Sequence, residues 1–124
     1  MARTVVVVDD DEDVCEFLTD FLTSEGMAVT TCAHSDEAFE KIRAAMPDVV
    51  VLDLQTLQDP EAGLVILVQL RANPETVTIP VILITADHDA LRRHAARIKE
   101  RGATTLPKPF EPGRLWQMIE SLAA

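Results

Sequence analysis

The chain has 124 residues, 48% of them hydrophobic and 26% charged, with a formal net charge of -10. Such a length suits one compact domain, residues 1–124, with a core that needs no staples. The negative balance excludes general nucleic-acid binding, which depends on Lys and Arg against phosphates. No apolar run approaches the roughly 18 residues of a membrane helix, and the first strand turns acidic too soon for a signal peptide, so a soluble, cytoplasmic protein is expected.

The charge is unevenly placed: residues 1–61 carry fifteen acids against three bases, and residues 62–124 carry six acids against eight bases. The two cysteines, Cys15 and Cys32, lack metal-ligand spacing and are expected as reduced core thiols without a disulfide.

Residues 4–8 form a β-branched run that meets a block of acids. Val14, Phe17, Leu18, Phe21 and Leu22 then recur at helical spacing, with Gly26 as the closing residue. Residues 27–32 predict a second strand. Ser35 starts a helix with the stripe Ala38, Phe39 and Ile42, which Pro47 stops. Residues 48–53 are apolar on consecutive positions, as in a central parallel strand covered on both faces. Leu64, Leu67 and Leu70 mark a helix over 63–71, and residues 80–85 a fourth buried strand. Leu91, Ala95 and Ile98 predict one helix that ends at Gly102. A short strand at 104–106 and a last helix with Leu115, Ile119 and Leu122 complete five βα units. This alternation implies a parallel sheet with helices on both faces, and ligands beyond the carboxyl ends of its strands.

Five residues meet that rule: Asp9 and Asp10 after the first strand, Asp53 after the third, Thr85 after the fourth and Lys108 after the fifth. Three carboxylates in one cleft repel one another unless a cation sits among them. Mg²⁺ suits such a site, because it takes oxygen ligands and commonly uses one or two carboxylates beside a phosphoryl oxygen. One Asp can then act as a nucleophile toward phosphorus, with Lys108 and the Thr85 hydroxyl stabilising the transferred charge.

The segments VVVVDDDEDV, VVVLDL, VILITAD and PKPF, in that order, resemble the receiver domains of two-component response regulators, and the resemblance covers the whole chain. It implies a doubly wound, flavodoxin-like (βα)5 fold with a five-stranded parallel sheet in the order 2-1-3-4-5. It implies Asp53 as phosphoacceptor, with Asp10, Asp53 and the Gln55 carbonyl as Mg²⁺ ligands and Asp9 reaching the ion through water. It further implies Thr85 and Lys108 as phosphoryl-binding groups, Ala86 as the small residue beside them, and a cis peptide bond before Pro109. The implied partners are a sensor histidine kinase or histidine phosphotransfer protein and an unidentified downstream protein or effector domain, with no nucleic acid or membrane bound directly. The implied role is signalling, not enzymatic turnover.

The pattern departs from the family at two places. The connection 54–62 is two residues longer than usual, with Leu57 where a proline is common. Thr105 stands where many members carry an aromatic switch residue, which turns attention to the loop after the fourth strand and to Arg93 and Arg97 on the following helix. Three rival functions fit these residues less well. An Asp-nucleophile hydrolase of the haloacid dehalogenase type needs a second Asp where Gln55 stands. A flavodoxin-like cofactor binder needs a phosphate cradle where residues 9–13 are acidic. A receiver-like module that takes no phosphoryl group needs no complete set of acids, Thr and Lys. His34, His88 and His94 lack metal spacing, and Trp116 lies beside the buried stripe of the last helix.

Overall fold

The computed structural model describes residues 2–57 and 59–123. In chain order the elements are β1 (Thr4–Val8), α1 (Glu12–Ser24), β2 (Ala28–Cys32), α2 (Ser35–Ala45), β3 (Val49–Asp53), α3 (Ala62–Ala72), β4 (Val81–Thr85), α4 (His88–Arg93), α5 (Ala95–Glu100), β5 (Thr104–Pro107) and α6 (Pro112–Ala123). The strands form one parallel sheet in the order β2-β1-β3-β4-β5, the flavodoxin-like receiver topology. Among the described residues no helix is long and apolar enough to cross a membrane.

Strand alternation sorts the core into two layers. Val6, Val8, Val50, Leu52, Val81 and Leu83 face one side, where Ala38 and Ile42 of α2 and Leu64, Leu67 and Leu70 of α3 cover them. Val5, Val7, Val49, Val51, Ile82 and Ile84 face the other, against Leu18 and Leu22 of α1 and Leu115 and Ile119 of α6. Every residue of β3 and β4 is buried. This is why both strands read as unbroken apolar runs: a parallel strand with helices on both faces has no wet side. Cys15 and Cys32 are both buried free thiols. Burial first, and then the charges of Asp9 and Asp11, push the Cys15 thiol up to about 11, so it stays a protonated core group.

Two expectations need correction. Phe17 is 54% exposed, because Cys15, Leu18 and Leu22 already fill the inward face of α1. The single helix expected after β4 is two short ones. His94 has φ -102 and ψ 8, which bends the chain between α4 and α5. Its ring is 14% exposed at the side chain and stands 3.6 Å from Glu61. Beyond the bend Ile98 is buried and Ala95 is exposed, so the expected stripe does not continue through it.

The chain returns from the long connection to α3 at a very narrow point. Gly63 N donates to the Leu54 carbonyl at 2.9 Å. A Cβ on Gly63 would lie 2.6 Å from the Asp53 carbonyl oxygen and 2.7 Å from the Leu54 Cα, both backbone atoms that cannot swing aside. The Gly63→Ala variant is therefore expected to lose about 2 kcal/mol through overpacking. Denaturant titration of the two proteins measures it, and an unchanged midpoint would show that the backbone yields there freely.

Candidate functional site

The register of the sheet aligns the strand ends that matter. Val8 pairs with Leu52, Asp53 with Ile84 and Thr85 with Pro107. Asp9, Asp53 and Thr85 consequently emerge side by side, and all three are buried, at 1%, 9% and 2% exposure. Polar side chains so deep in a small domain need partners.

Lys108 is the principal partner. Its Nζ lies 3.2 Å from Asp9 Oδ2 and 3.5 Å from Asp53 Oδ2. The backbone holds the lysine in place, with Lys108 N donating to the Thr85 carbonyl at 2.8 Å. The Lys108–Pro109 peptide bond is cis. The remaining carboxylate oxygens accept from nearby main chain: Asp9 Oδ1 from Asp11 N at 2.9 Å, and Asp53 Oδ1 from Gln55 N at 3.1 Å. Asp10 Oδ2 accepts from Leu57 N at 2.8 Å, which ties the first acidic loop to the long connection.

Charge and burial set the protonation states. Desolvation, followed by the Asp9 charge, raises Asp53 to about 6, against the opposing pull of Lys108 and the Gln55 N–H. For Lys108, burial favours the neutral amine, but Asp53 and Asp9 together outweigh it and the net shift is upward. At neutral pH the lysine is charged and most of Asp53 is ionised.

Oxygens of Asp9, Asp10 and Asp53 lie within 4.8 Å of one another, with no soft ligand among them. In an octahedral Mg²⁺ shell opposite ligands stand roughly 4.2 Å apart, twice the bond length, so this donor set fits a hard divalent cation. The cleft beside it has a volume of about 620 Å³, bounded by Asp9, Asp10, Asp53, Leu57 and Lys108. That is room for several waters as well as an ion, since each water takes about 30 Å³.

A second cavity of about 370 Å³ opens on the other side of Asp53, between Gln55, Thr85, Ala86, Asp87 and Lys108. Thr85 Oγ1 accepts from Asp87 N at 3.1 Å, which leaves its own proton free to donate. The fold thus brings together Asp9, Asp10, Asp53, Thr85 and Lys108, with Gln55 at the rim. None of the three histidines lines either cavity, although His88 Nε2 lies 2.9 Å from the Lys108 carbonyl.

Sequence reasoning missed a contact across the mouth of this cavity. Gln55 Nε2 donates to Asp87 Oδ2 at 3.3 Å. The other oxygen, Asp87 Oδ1, caps α4 by accepting from Ala90 N at 3.0 Å. An Asp one residue ahead of a helix is a legible capping signal, but nothing local points to the residue it meets from the other loop.

The raised Asp53 pKa has a measurable sign. In the metal-free protein the folded state holds the Asp53 proton up to a higher pH than the unfolded chain does. The stabilisation from this group is complete below about pH 4 and disappears as the pH rises through 6. Asp53→Asn lacks that ionisation. The variant's stability advantage over the parent is expected to grow from near zero at pH 4 to on the order of 2 kcal/mol at pH 7.5. Parallel urea titrations across this range check it, and a gap that does not vary with pH would refute the shifted acidity.

Comparison with known proteins gives consistent matches. A family profile described as the response regulator receiver domain matches residues 5–120. The probable transcriptional regulatory protein TcrX of Mycobacterium tuberculosis is 38% identical over 107 residues, covering 86% of this chain and 44% of that protein. The chain spans about half the length, or less, of the curated relatives it matches. A putative response regulator from Chloroflexus aurantiacus is 31% identical with a TM-score of 0.85, covering 99% of this chain and 98% of that one. The chemotaxis response regulator CheY4 of Vibrio cholerae, at 23% identity, shares the fold with a TM-score of 0.84 over 98% of this chain and 99% of its own.

Proposed function

The chain belongs to the response regulator receiver family of two-component systems, and from that premise we propose that Asp53 is its phosphoacceptor, loaded by a histidine kinase or a histidine phosphotransfer protein. The observation that carries this reading is the Lys108 ammonium 3.5 Å from a buried Asp53 carboxylate at the end of β3. A buried nucleophile with a fixed cation beside it needs little reorganisation when a phosphoryl group arrives.

An Asp53 carboxylate oxygen attacks the phosphorus of phosphohistidine, forming a phosphorus–oxygen bond as the phosphorus–nitrogen bond breaks. The electron pair of that bond returns to the imidazole. With a pKa of about 6, Asp53 is mostly ionised at neutral pH and needs no base to activate it. Lys108 neutralises a phosphoryl oxygen as a point charge and also holds Asp9 in place. Thr85 donates its hydroxyl proton to a second oxygen while still accepting from Asp87 N. Asp10, Asp53 and the Gln55 carbonyl would hold Mg²⁺, with Asp9 reaching it through water, and the bound ion would supply the remaining charge neutralisation. The family's longer members imply a downstream effector, through which the receiver acts by changing its contacts.

Acetyl phosphate with Mg²⁺ is expected to add one phosphoryl group, labile in acid and in base as an acyl phosphate is, to the parent and none to Asp53→Asn, as read by intact mass. Lys108→Ala should slow labelling by about tenfold or more. Equal labelling of Asp53→Asn would remove Asp53 from the role.

The metal assignment has its own test. Asp10→Asn deletes one negative charge from the cluster, so the variant should melt higher than the parent without Mg²⁺ and gain little when Mg²⁺ is added. Thermal melts at several Mg²⁺ concentrations measure both. A full Mg²⁺-induced shift in the variant would exclude Asp10 as a ligand.

A further inference from the structure

The helix that follows β4 is suspended from the connection between β3 and α3 at both of its ends. At its start the Asp87 carboxylate divides its two oxygens, one to Ala90 N within α4 and one to Gln55 Nε2 across the cavity. At its end His94 Nε2 lies 3.6 Å from Glu61, the residue that precedes α3. α4 has only six residues, and among its own side chains only Ala90 is buried. A helix this short has little stability of its own, so its position depends on the contacts at its ends.

Gln55 and Asp87 also face each other over the space that a phosphoryl group on Asp53 would enter, since both line the cavity with Asp53, Thr85 and Lys108. A phosphoryl group brings a charge of about -1.5 to -2 and three acceptor oxygens. It repels the Asp87 carboxylate and offers the Gln55 amide a more strongly charged acceptor. Thr85 has no such choice to make, because its oxygen can keep the Asp87 N–H while its proton turns into the cavity. Thr105 is exposed on β5, so no aromatic ring there can rotate in behind Thr85.

We propose that the Gln55 side-chain amide is a two-position donor, bound to Asp87 in the unphosphorylated protein and transferred to the phosphoryl oxygens on loading, and that this transfer frees the start of α4. Gln55 and Asp87 are positioning residues here, not catalytic ones. The signal leaves the site as the loss of one hydrogen bond that orients the α4 cap. The inference rests on Asp53 as phosphoacceptor.

The experiment uses the full chain with Mg²⁺, with and without beryllofluoride as phosphoryl mimic, in the parent, Gln55→Ala and Asp87→Ser. Serine keeps a capping hydroxyl but cannot reach Gln55. In the parent the mimic should displace the Gln55 side-chain amide resonance and speed amide exchange at Ala90 and Leu91 by about fivefold, the loss of one modest hydrogen bond. Both variants should show fast exchange from the outset and no further response. Acetyl phosphate labelling of the same three proteins separates the two levels. If the parent is labelled on Asp53 but α4 exchange ignores the mimic, or if Gln55→Ala responds as fully as the parent, the relay is wrong and the receiver reading stands. If the parent is not labelled at all, the reading beneath it fails and the relay fails with it.

Discussion

The carboxylates of Asp9 and Asp53 occupy neighbouring strand ends from which water is largely excluded, and two such charges cannot share that space without a cation. Lys108 meets the requirement from the far side of the sheet, 3.2 Å from one and 3.5 Å from the other. Much of the architecture follows from bringing it there. β5 must pair with β4 so that the chain beyond it turns toward β1 and β3, and the main-chain bond from Lys108 N to the Thr85 carbonyl fixes that turn. One lysine against three acids leaves a negative excess, which is the electrostatic condition for drawing in a divalent ion.

The legibility of the sequence divides along the range of the interactions. The strands were legible because the packing of a doubly covered sheet writes itself into consecutive β-branched residues, as at 49–53 and 81–85. The site residues were legible because that topology places strand ends together, which made Asp9 and Lys108 neighbours despite a separation of 99 positions. Other features had no local signature. Phe17 matches the helical period of α1 but loses the inward face to Cys15, and periodicity alone cannot rank the two. The bend at His94 depends on ring burial beside Glu61, a residue from another βα unit. The bonds from Gln55 to Asp87 and from Leu57 to Asp10 span 32 and 47 residues, and depend on loop paths that no spacing rule sets.

Two cavities flank the Asp53 carboxylate. On the α1 side the lining is dominated by acids, whereas on the β4 side Thr85 and Asp87 join the Gln55 and Lys108 that line both cavities. Asp53 lines both, with Oδ1 accepting from Gln55 N at 3.1 Å and Oδ2 lying 3.5 Å from the Lys108 ammonium. Of these two cavities, Asp9 and Asp10 thus line only the first and Thr85 only the second, while Asp53 and Lys108 are shared.

The narrow return at Gly63 bears on how the long connection tolerates change. Its two ends are fixed by the Leu54 carbonyl and by a contact that admits no side chain. Closing a loop of nine residues in place of seven costs only about 0.2 kcal/mol in chain entropy. Length within this connection is therefore almost free, whereas its point of closure is not. The rim of the acidic cleft can be redrawn by insertion or deletion while Asp53 and Lys108 keep their places, so variable surface and fixed interior meet within a single short stretch of chain.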